Sequence, residues 1–164
     1  RVITSENSWL ISSMLRDVIK LGTGRRAKVI GKKDLSGKTG TTNEQRDAWF
    51  SGFSSQVVTT VWVGFDKVAP LGRRETGAKA ALPIWVSFMT GALADLEDNI
   101  PERPNGLVVV RIDRKSGKLS SVGNPSSVFE VFREPNVPSR ERDSDYSSSE
   151  EDGQKGAIKP EQIF

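Results

Sequence analysis

The chain has 164 residues, no Cys and no His, and a formal net charge of +3 from 24 Lys and Arg against 21 Asp and Glu. Without Cys it cannot form a disulfide, a zinc–thiolate site or a cysteine nucleophile, and without His it lacks the commonest general base and metal ligand. Its length suits one domain with a hydrophobic core. Its clustered cations are not interleaved with aromatic residues, so we expect no nucleic acid partner.

The first predicted elements are a helix and a loop. Apolar residues recur at helical spacing over residues 7–21, and Ser5 or Asn7 can cap the start of this helix. Gly22 stands where the helix should end, because glycine is favoured just after a helix C-terminus. Residues 22–35, which are rich in glycine and basic residues, are predicted to be a loop.

Three strands are predicted next, at about residues 37–42, 47–54 and 57–65. The second shows an alternating pattern, and the third is rich in β-branched and aromatic residues. Because short connections join the three strands, we expect an antiparallel meander. A polar, glycine-containing loop follows at residues 66–78.

A second helix is predicted at about residues 79–97, with Pro83 in its first turn, where a missing N–H costs little. Beyond it, residues 107–112 and 118–122 are predicted to form a hairpin, and residues 128–132 a further short strand. Helix, antiparallel strands and helix together predict the α+β class, with an antiparallel β-sheet flanked by helices.

The composition changes near residue 136. Residues 136–164 are dense in Ser, Asp, Glu and Arg, and they cannot bury enough surface to offset the entropy of the chain, so we expect disorder there and assign the domain to residues 1–135. The chain begins with Arg1 and shows no signal peptide and no bilayer-spanning apolar run. We therefore expect Arg1 to be an internal position or a cleavage point.

The most informative stretch is Lys38-Thr39-Gly40-Thr41, followed by Thr42, on the first predicted strand. Alternation puts Lys38 and Gly40 on one face and Thr39 and Thr41 on the other. Lys38 supplies a positive charge, and Gly40 lets a bound backbone approach closely because it has no side chain. Thr39 and Thr41 offer short hydroxyls to a carboxylate. Alternation alone leaves open how both hydroxyls would reach one ligand.

The Lys-Thr-Gly triplet occurs with Ser-x-x-Lys and Ser-x-Asn in penicillin-recognising serine enzymes. Here residues 36–43, Ser-Gly-Lys-Thr-Gly-Thr-Thr-Asn, run into residues 46–53, Arg-Asp-Ala-Trp-Phe-Ser-Gly-Phe. This string resembles the transpeptidase domain of class A penicillin-binding proteins, the bifunctional cell-wall synthases. Residues 13–18 with 22–25, and residues 76–77 with 80–85, are similar to the same family, in its 1a type from Gram-negative bacteria. The resemblance covers about residues 1–135.

The resemblance implies a fold and a reaction. The family's domain has a five-stranded antiparallel sheet packed by helices, beside an all-helical lobe that carries the nucleophile, and this chain would supply the C-terminal part. A serine acyl-enzyme cross-links peptidoglycan stem peptides ending in D-Ala-D-Ala, and β-lactams trap it. The resemblance also implies a periplasmic location, with a glycosyltransferase and an inner-membrane anchor in an N-terminal segment outside this chain. We expect no cofactor and no metal.

The family's site residues carry over to the matching positions. The resemblance implies catalytic roles for Lys38 and Thr41, and substrate binding by Thr39, Gly40, Thr41 and Thr42. Both Thr39 and Thr41 hydroxyls would reach the bound carboxylate. The Thr41 N–H would complete the oxyanion hole with the N–H of the missing serine, a contact worth about 3–4 kcal/mol per donor. Thr42 would form a wall on the leaving-group side.

No Ser-x-x-Lys occurs in this sequence. We therefore expect an upstream segment or a companion chain to carry the Ser-x-x-Lys and Ser-x-Asn motifs, and this chain alone to be inactive. Ser5-Glu6-Asn7 fits Ser-x-Asn, but the family's triplet lies upstream in the helical lobe, so we interpret it as a helix cap. Thr76-Gly77-Ala78-Lys79 fits Thr-x-x-Lys, but it follows the Lys-Thr-Gly strand, the wrong order for this family. We interpret it as the loop entering the second helix.

Several other residues near the motif invite a functional interpretation that their spacing does not favour. Arg46 and Asp47 are predicted to have structural roles in hydrogen bonding and ion pairing. Four aromatic residues could form a ligand-binding cluster, but their strand and helix spacing favours the hydrophobic core. These four are Trp49, Phe50, Trp62 and Trp85.

Two alternative functions stay open. The same fold with water as the acceptor would be a D,D-carboxypeptidase or a β-lactamase, although the flanking segments argue against it. A non-catalytic binding module is the other alternative, because the chain contains no Ser-x-x-Lys.

Overall fold

The computed structural model describes residues 2–140 of the chain. They divide into two compact units, one of residues 2–109 and 131–136 and the other of residues 110–130 and 137–140. In the described part of the chain, no helix combines the length and the apolar character needed to cross a membrane. The helices and strands of these residues are α1 (Ser5–Lys20), β1 (Ser36–Thr41), β2 (Ala48–Phe53), β3 (Val58–Val63), α2 (Leu82–Ala92), β4 (Leu107–Asp113) and β5 (Ser127–Arg133).

Strands β1, β2 and β3 form one antiparallel sheet in chain order. The predicted meander and the α+β class are thereby confirmed. Within the described residues β1 is an edge strand, with β2 as its partner in the sheet. The register sets Gly40 opposite Trp49, and Trp49 opposite Trp62.

The hydrophobic core of the first unit lies on one side of β2. Phe50 is fully buried, whereas its neighbours Trp49 and Ser51 are exposed, because successive side chains on a strand point to opposite faces. Phe50 packs edge-to-face against Trp85 of α2, with ring centroids 4.9 Å apart. The Trp85 indole N–H donates to the carbonyl oxygen of Thr59 on β3 at 3.0 Å. Ring packing and this hydrogen bond together hold α2 on the sheet.

Helix α1 begins directly after Thr4, whose hydroxyl accepts a hydrogen bond from the Asn7 N–H at 3.3 Å. The prediction that Ser5 or Asn7 is the cap is wrong, and so is the cap interpretation of Ser5-Glu6-Asn7, which forms the first turn. Thr4 caps because its extended backbone lets its hydroxyl reach back to a donor of that turn. Further along, α1 packs against β1, and the Ser36 hydroxyl donates to the Ser12 carbonyl oxygen at 3.1 Å.

Helix α2 is shorter than the predicted 79–97. A π-helical segment, Gly77–Ala81, leads into it, and Pro83 lies in its first turn, as predicted. The predicted end is wrong because, from the Gly91 carbonyl onward, backbone hydrogen bonds between residues three apart replace the α-helical bonds between residues four apart. Glycine is a weak helix former, which favours an early end.

The core prediction for the four aromatic residues is right for Phe50 and Trp85 and wrong for Trp49 and Trp62. Trp49 is 40% exposed and Trp62 is 45% exposed. Residues directly opposite each other in the register share a face, so the two indoles pair with ring centroids 6.1 Å apart on the face opposite Phe50. The sequence pattern defines two faces without showing which one is covered.

Strand β4 pairs with β5 in a separate two-stranded sheet. The predicted hairpin of residues 107–112 with 118–122 is confirmed only near its turn, because β5 is the strand partner of β4. Residues 118–122 form no strand, but a bridge joins Ile112 to Leu119. On either side of it, the Ser120 N–H donates to the Arg111 carbonyl oxygen at 3.0 Å and the Asp113 N–H donates to the Lys118 carbonyl oxygen at 2.9 Å. Ser139 and Arg140 also lie beside Leu119, through a 3.1 Å backbone bond and a bridge. The remainder of the predicted disordered tail, residues 141–164, lies outside the described residues.

One carboxylate organises the connection between β4 and β5. Asp113 accepts the backbone N–H groups of Lys115 and Ser116 at 2.9 and 2.8 Å. Its other oxygen accepts from the Asn124 amide at 2.9 Å and the Ser126 hydroxyl at 2.7 Å. The Ser116 N–H, followed by the Ser126 and Asn124 donors, holds the pKa of the Asp113 carboxyl well below its usual range, because each donor favours the charged form.

Trp85→Ala should lower the free energy of unfolding by about 3–5 kcal/mol, because it empties a fully buried site and removes the indole hydrogen bond to the Thr59 carbonyl oxygen. Trp62→Ala is the matched control, since it removes the same ring from a half-exposed position and should cost much less. Urea denaturation followed by circular dichroism measures both. Equal losses would contradict the assignment of the core to the Phe50 face.

The Asp113 network should respond to acid in a defined direction. Because the folded-state pKa lies below the ordinary value of 3.8, the carboxylate stabilises the fold fully above 3.8 and loses that effect only as the pH falls through the lower folded-state pKa. The amide-proton chemical shifts of Lys115 and Ser116 should therefore stay constant as the pH is lowered to 3.8 and change only below pH 3.8. Asp113→Asn should abolish this pH-dependent change in chemical shift. A change centred on pH 3.8 in the unsubstituted protein would refute the network.

Candidate active site

The backbone groups of β1 alternate in direction. The Thr42 N–H donates to the Asp47 carbonyl oxygen at 3.1 Å, one step past the end of the strand. Bonded and non-bonded pairs alternate in an antiparallel ladder, so Gly40 is hydrogen-bonded to β2, whereas Thr39 and Thr41 are not. The N–H and C=O groups of Thr39 and Thr41 therefore point away from β2, toward the outer edge of the sheet.

Lys38 lies beside this edge with its side chain exposed. Its ammonium donates to the Thr39 carbonyl oxygen at 2.8 Å, as expected if that oxygen points away from β2. Within residues 2–140, Lys38 has no salt-bridge partner. Its positive charge is therefore available to an anionic ligand at the strand.

The two threonine hydroxyls lie on the opposite face from Lys38, as the alternation predicts. The Thr39 hydroxyl is 2.9 Å from the hydroxyl of Thr23, which follows α1. The Thr41 hydroxyl oxygen accepts the N–H of Gly77 at 3.0 Å. Sequence reasoning missed both contacts, because they join residues far apart in the chain. Each bond leaves hydroxyl capacity for a ligand, since a hydroxyl has one donor and two acceptor positions.

Thr42 takes part in the turn that follows β1. Its hydroxyl accepts the Asp47 N–H at 2.8 Å, and it lies 3.3 Å from a carboxylate oxygen of Asp47. The other Asp47 oxygen accepts the Trp62 indole N–H at 2.9 Å. Arg46 pairs with Glu44 in the same turn. The hydrogen bonding and ion pairing predicted for Arg46 and Asp47 are present, and Thr42 shares this network.

Gly77 lies directly against the backbone of the first two strands. A Cβ at this position would lie 2.2 Å from the Trp49 carbonyl oxygen and 2.5 Å from that of Gly40, so only glycine fits. Thr76, just before it, has an extended backbone and is the N-cap of the helical segment. The interpretation of Thr76-Gly77-Ala78-Lys79 as the entry to the second helix is confirmed, although the chain is already helical from Gly77.

A cleft of about 610 Å³ opens beside these residues. Its lining includes Thr23, which contacts Thr39, and Thr76, which precedes Gly77. No carboxylate lines it, and among residues 2–140 no group of three or more acidic side chains lies close enough to hold a metal ion. The cleft therefore suits an anion rather than a cation. Its cationic lining residues are Arg25, Arg26, Arg74 and Lys79.

Known proteins share this fold and sequence. The crystal structure of penicillin-binding protein 1A from Haemophilus influenzae matches 85% of this chain, with a TM-score of 0.78 and 38% sequence identity. Penicillin-binding protein 1A of Pseudomonas aeruginosa is 48% identical over 138 residues, or 84% of this chain. The chain belongs to the penicillin-binding protein 1A family. The family predicted from the Lys-Thr-Gly strand and its flanks is thereby confirmed.

The chain spans only a small part of these penicillin-binding proteins. It covers 17% of the Pseudomonas aeruginosa protein and 22% of the chain in the Haemophilus influenzae structure. Penicillin-binding protein 1A of Neisseria cinerea is 36% identical over 157 residues, which are 96% of this chain and 20% of the relative. No family model matches the chain.

Gly77→Ala should destabilise the first unit by about 1–3 kcal/mol or more, because the added methyl cannot fit against two backbone oxygens. Gly91→Ala is the matched control: apart from its chain neighbours and its own helix backbone, no atom lies within 4 Å of the added Cβ, and alanine is the better helix former by about 1 kcal/mol. The control should melt at the same or a higher temperature. A Gly77→Ala protein as stable as the unsubstituted chain would contradict the close packing on β1 and β2.

Proposed function

We propose that this chain is the C-terminal part of a D,D-transpeptidase domain and that β1 forms one wall of its active site. The observation that carries the proposal is the outward direction of the Thr39 and Thr41 backbone groups on an edge strand that also bears Lys38. Membership of the penicillin-binding protein 1A family supports the same assignment.

Strand pairing would bind the substrate. A peptidoglycan stem peptide ending in D-Ala-D-Ala can lie extended along β1 and pair with the outward groups of Thr39 and Thr41. Gly40 carries no side chain that would obstruct the approach. Because the Gly77 N–H donates to the Thr41 hydroxyl oxygen, the Thr41 hydroxyl hydrogen is left to donate to the terminal carboxylate. Lys38 adds the positive charge.

The same edge would stabilise the transition state. As a nucleophile adds to the scissile carbonyl carbon, negative charge develops on the carbonyl oxygen. The outward Thr41 N–H is a fixed donor for that charge, together with the N–H of the serine itself. One such donor is worth about 3–4 kcal/mol, because it is already oriented when the charge appears.

The nucleophilic serine would come from a segment outside this chain, since the sequence contains no Ser-x-x-Lys. Its oxygen attacks the carbonyl carbon of the penultimate D-Ala, the C–N bond breaks, and the terminal D-Ala leaves as the amine after taking up a proton. An amine of a neighbouring stem peptide then attacks the ester, forms the cross-link and returns the serine. A β-lactam reacts by the same attack and stays bound as the ester.

The rest of the protein would supply the other activities. The relatives are about five to six times as long as the matched segment, which leaves room for the nucleophile lobe, a glycosyltransferase and an inner-membrane anchor. We place the transpeptidase on the periplasmic side of that membrane, where peptidoglycan is the substrate.

In the full-length protein, Lys38→Ala should slow acylation by a fluorescent penicillin about 10²–10³-fold, the size expected for losing one preorganised electrostatic contact. The melting temperature should not change, because the exposed Lys38 side chain contacts only a backbone oxygen. Lys67→Ala, at another exposed lysine, is the matched control and should acylate normally. Band intensity on a denaturing gel over time measures the rate.

Unfolding of the Lys38→Ala protein with no separate kinetic defect would refute the catalytic role. Unlabelled full-length protein would refute penicillin binding itself. Rapid multiple turnover of penicillin would point instead to a β-lactamase, in which water replaces the amine acceptor.

A further inference from the structure

Arg16, on α1, is a buried cation without a polar partner among the described residues. It is only 6% exposed, yet within residues 2–140 it makes no salt bridge and no side-chain hydrogen bond. Its guanidinium lies over the ring of Trp9, with 5.4 Å between the guanidinium carbon and the ring centroid. Burying a charge without a counter-charge is unfavourable, and contact with a ring offsets only part of that cost. The position therefore favours an anion beside Arg16.

Arg16 lines a cavity of about 300 Å³ between α1 and residues 101–104. Among residues 2–140, no fully buried side-chain nitrogen or oxygen lacks a hydrogen-bond partner. The Arg16 nitrogens have no partner there, so they must keep some accessible surface, and the cavity provides it. A guanidinium presents planar N–H donors that fit the two oxygens of a carboxylate. The cavity thus contains an unused carboxylate-binding group.

The cavity is built from one face of a helix and a fixed wall. Side chains three or four residues apart share a face of a helix, so three serines of α1 line the cavity together with Trp9 and Arg16. The Trp9 indole N–H donates to the Pro101 carbonyl oxygen at 3.1 Å, which holds the wall against α1. Serine hydroxyls can donate to an anion held by the guanidinium. The three serines are Ser5, Ser8 and Ser12.

Glu102 also lines the cavity, but it does not neutralise Arg16. Its side chain is exposed, and no salt bridge joins it to the guanidinium. A carboxylate in contact with water stays hydrated and gains little from a distant cation. The charge of Arg16 is therefore left for a carboxylate that enters the cavity from elsewhere.

We propose that the cavity receives an Asp or Glu side chain from the upstream part of the full-length protein, and that this side chain forms a buried ion pair with Arg16. The inference rests on the proposed function in one respect, since it requires the upstream segment that carries the serine. Residues 2–4 lead directly into Ser5, which lines the cavity, so a chain that continues upstream starts beside it. A cavity of this size suits one side chain better than a whole peptide.

The ion pair would connect the upstream segment to the strand that forms the wall of the active site. Helix α1 packs against β1, and the Ser12 carbonyl oxygen accepts the Ser36 hydroxyl at 3.1 Å. A carboxylate bound at Arg16 would therefore fix the upstream segment to the helix that supports β1. A serine that attacks a substrate lying on β1 needs such a fixed position, because small displacements of reacting groups slow a reaction strongly.

The test replaces Arg16 with lysine in the full-length protein. A water-soluble carbodiimide then joins the new amine to a carboxylate in direct contact, with loss of water, and mass spectrometry of the digest identifies both residues. We expect Arg16→Lys to give an amide between position 16 and an Asp or Glu that precedes Arg1. The yield should change little with added salt, because a buried pair is screened much less than an exposed one.

Arg103→Lys is the matched control, because Arg103 is exposed and belongs to the wall segment without lining the cavity. Position 103 should not couple to the same acidic residue. In a second experiment, Arg16→Glu should lower the melting temperature, because it places two carboxylates together. Changing the identified upstream acid to Arg should then restore most of the loss, which a general packing defect would not allow.

Several results would overturn the ion pair. Coupling of position 16 to Glu102 would show that the wall supplies the counter-charge. Coupling to an acidic residue beyond position 140, or to a second protein molecule, would assign the cavity to another occupant. Absence of any coupling would also overturn it, and if phosphate raises the melting temperature of the unsubstituted protein but not of Arg16→Met, the cavity binds a free anion instead.

Labelling by a fluorescent penicillin separates this inference from the proposed function. If penicillin labels the protein but position 16 does not couple to an upstream acid, the ion pair is overturned and the transpeptidase proposal stands. If the coupling forms but penicillin never labels the protein, the proposed function fails and the ion pair stands on the cross-link alone.

Discussion

The pairing of β1 with β2 is the constraint on which the site depends. Its register decides which backbone groups of β1 are used inside the sheet and which remain for a ligand. A shift of one residue would turn the Thr39 and Thr41 groups inward and reverse every side chain on the strand. Two glycines help to fix the register, since an added Cβ at Gly37 would lie 2.8 Å from the Phe50 ring and one at Gly52 would lie 2.6 Å from the Trp85 ring.

Much of this arrangement can be predicted from the sequence. The Lys-Thr-Gly strand is recognisable from its residues, alternation separates Lys38 from the two threonine hydroxyls, and short connections make the sheet antiparallel. These features are local, so a short stretch of sequence contains the information. The sequence does not show that the Thr41 N–H points outward. That direction follows from the hydrogen bond between the Thr42 N–H and the Asp47 carbonyl oxygen, which determines which β1 residues are bonded to β2.

The features that sequence reasoning missed depend on contacts between distant residues or on competition between neighbours. Thr23 reaches Thr39 only because α1 packs against β1. Thr4, rather than Ser5, caps α1 because Thr4 is the residue with extended backbone directly before the helix. Trp49 has the composition of a core residue, yet its face of the sheet is not the one that α2 covers. Propensity alone cannot decide which of two apolar faces will be buried.

Gln45 has a consequence for how the site works as a whole. It bonds to the loop that carries Arg74 and belongs to the turn that ends β1 after Thr41. These bonds tie the loop before Thr76 to the turn after Thr41, so the loop and the end of the strand are restrained together. A displacement of either segment is therefore shared by the other, because both are hydrogen-bonded to the same residue.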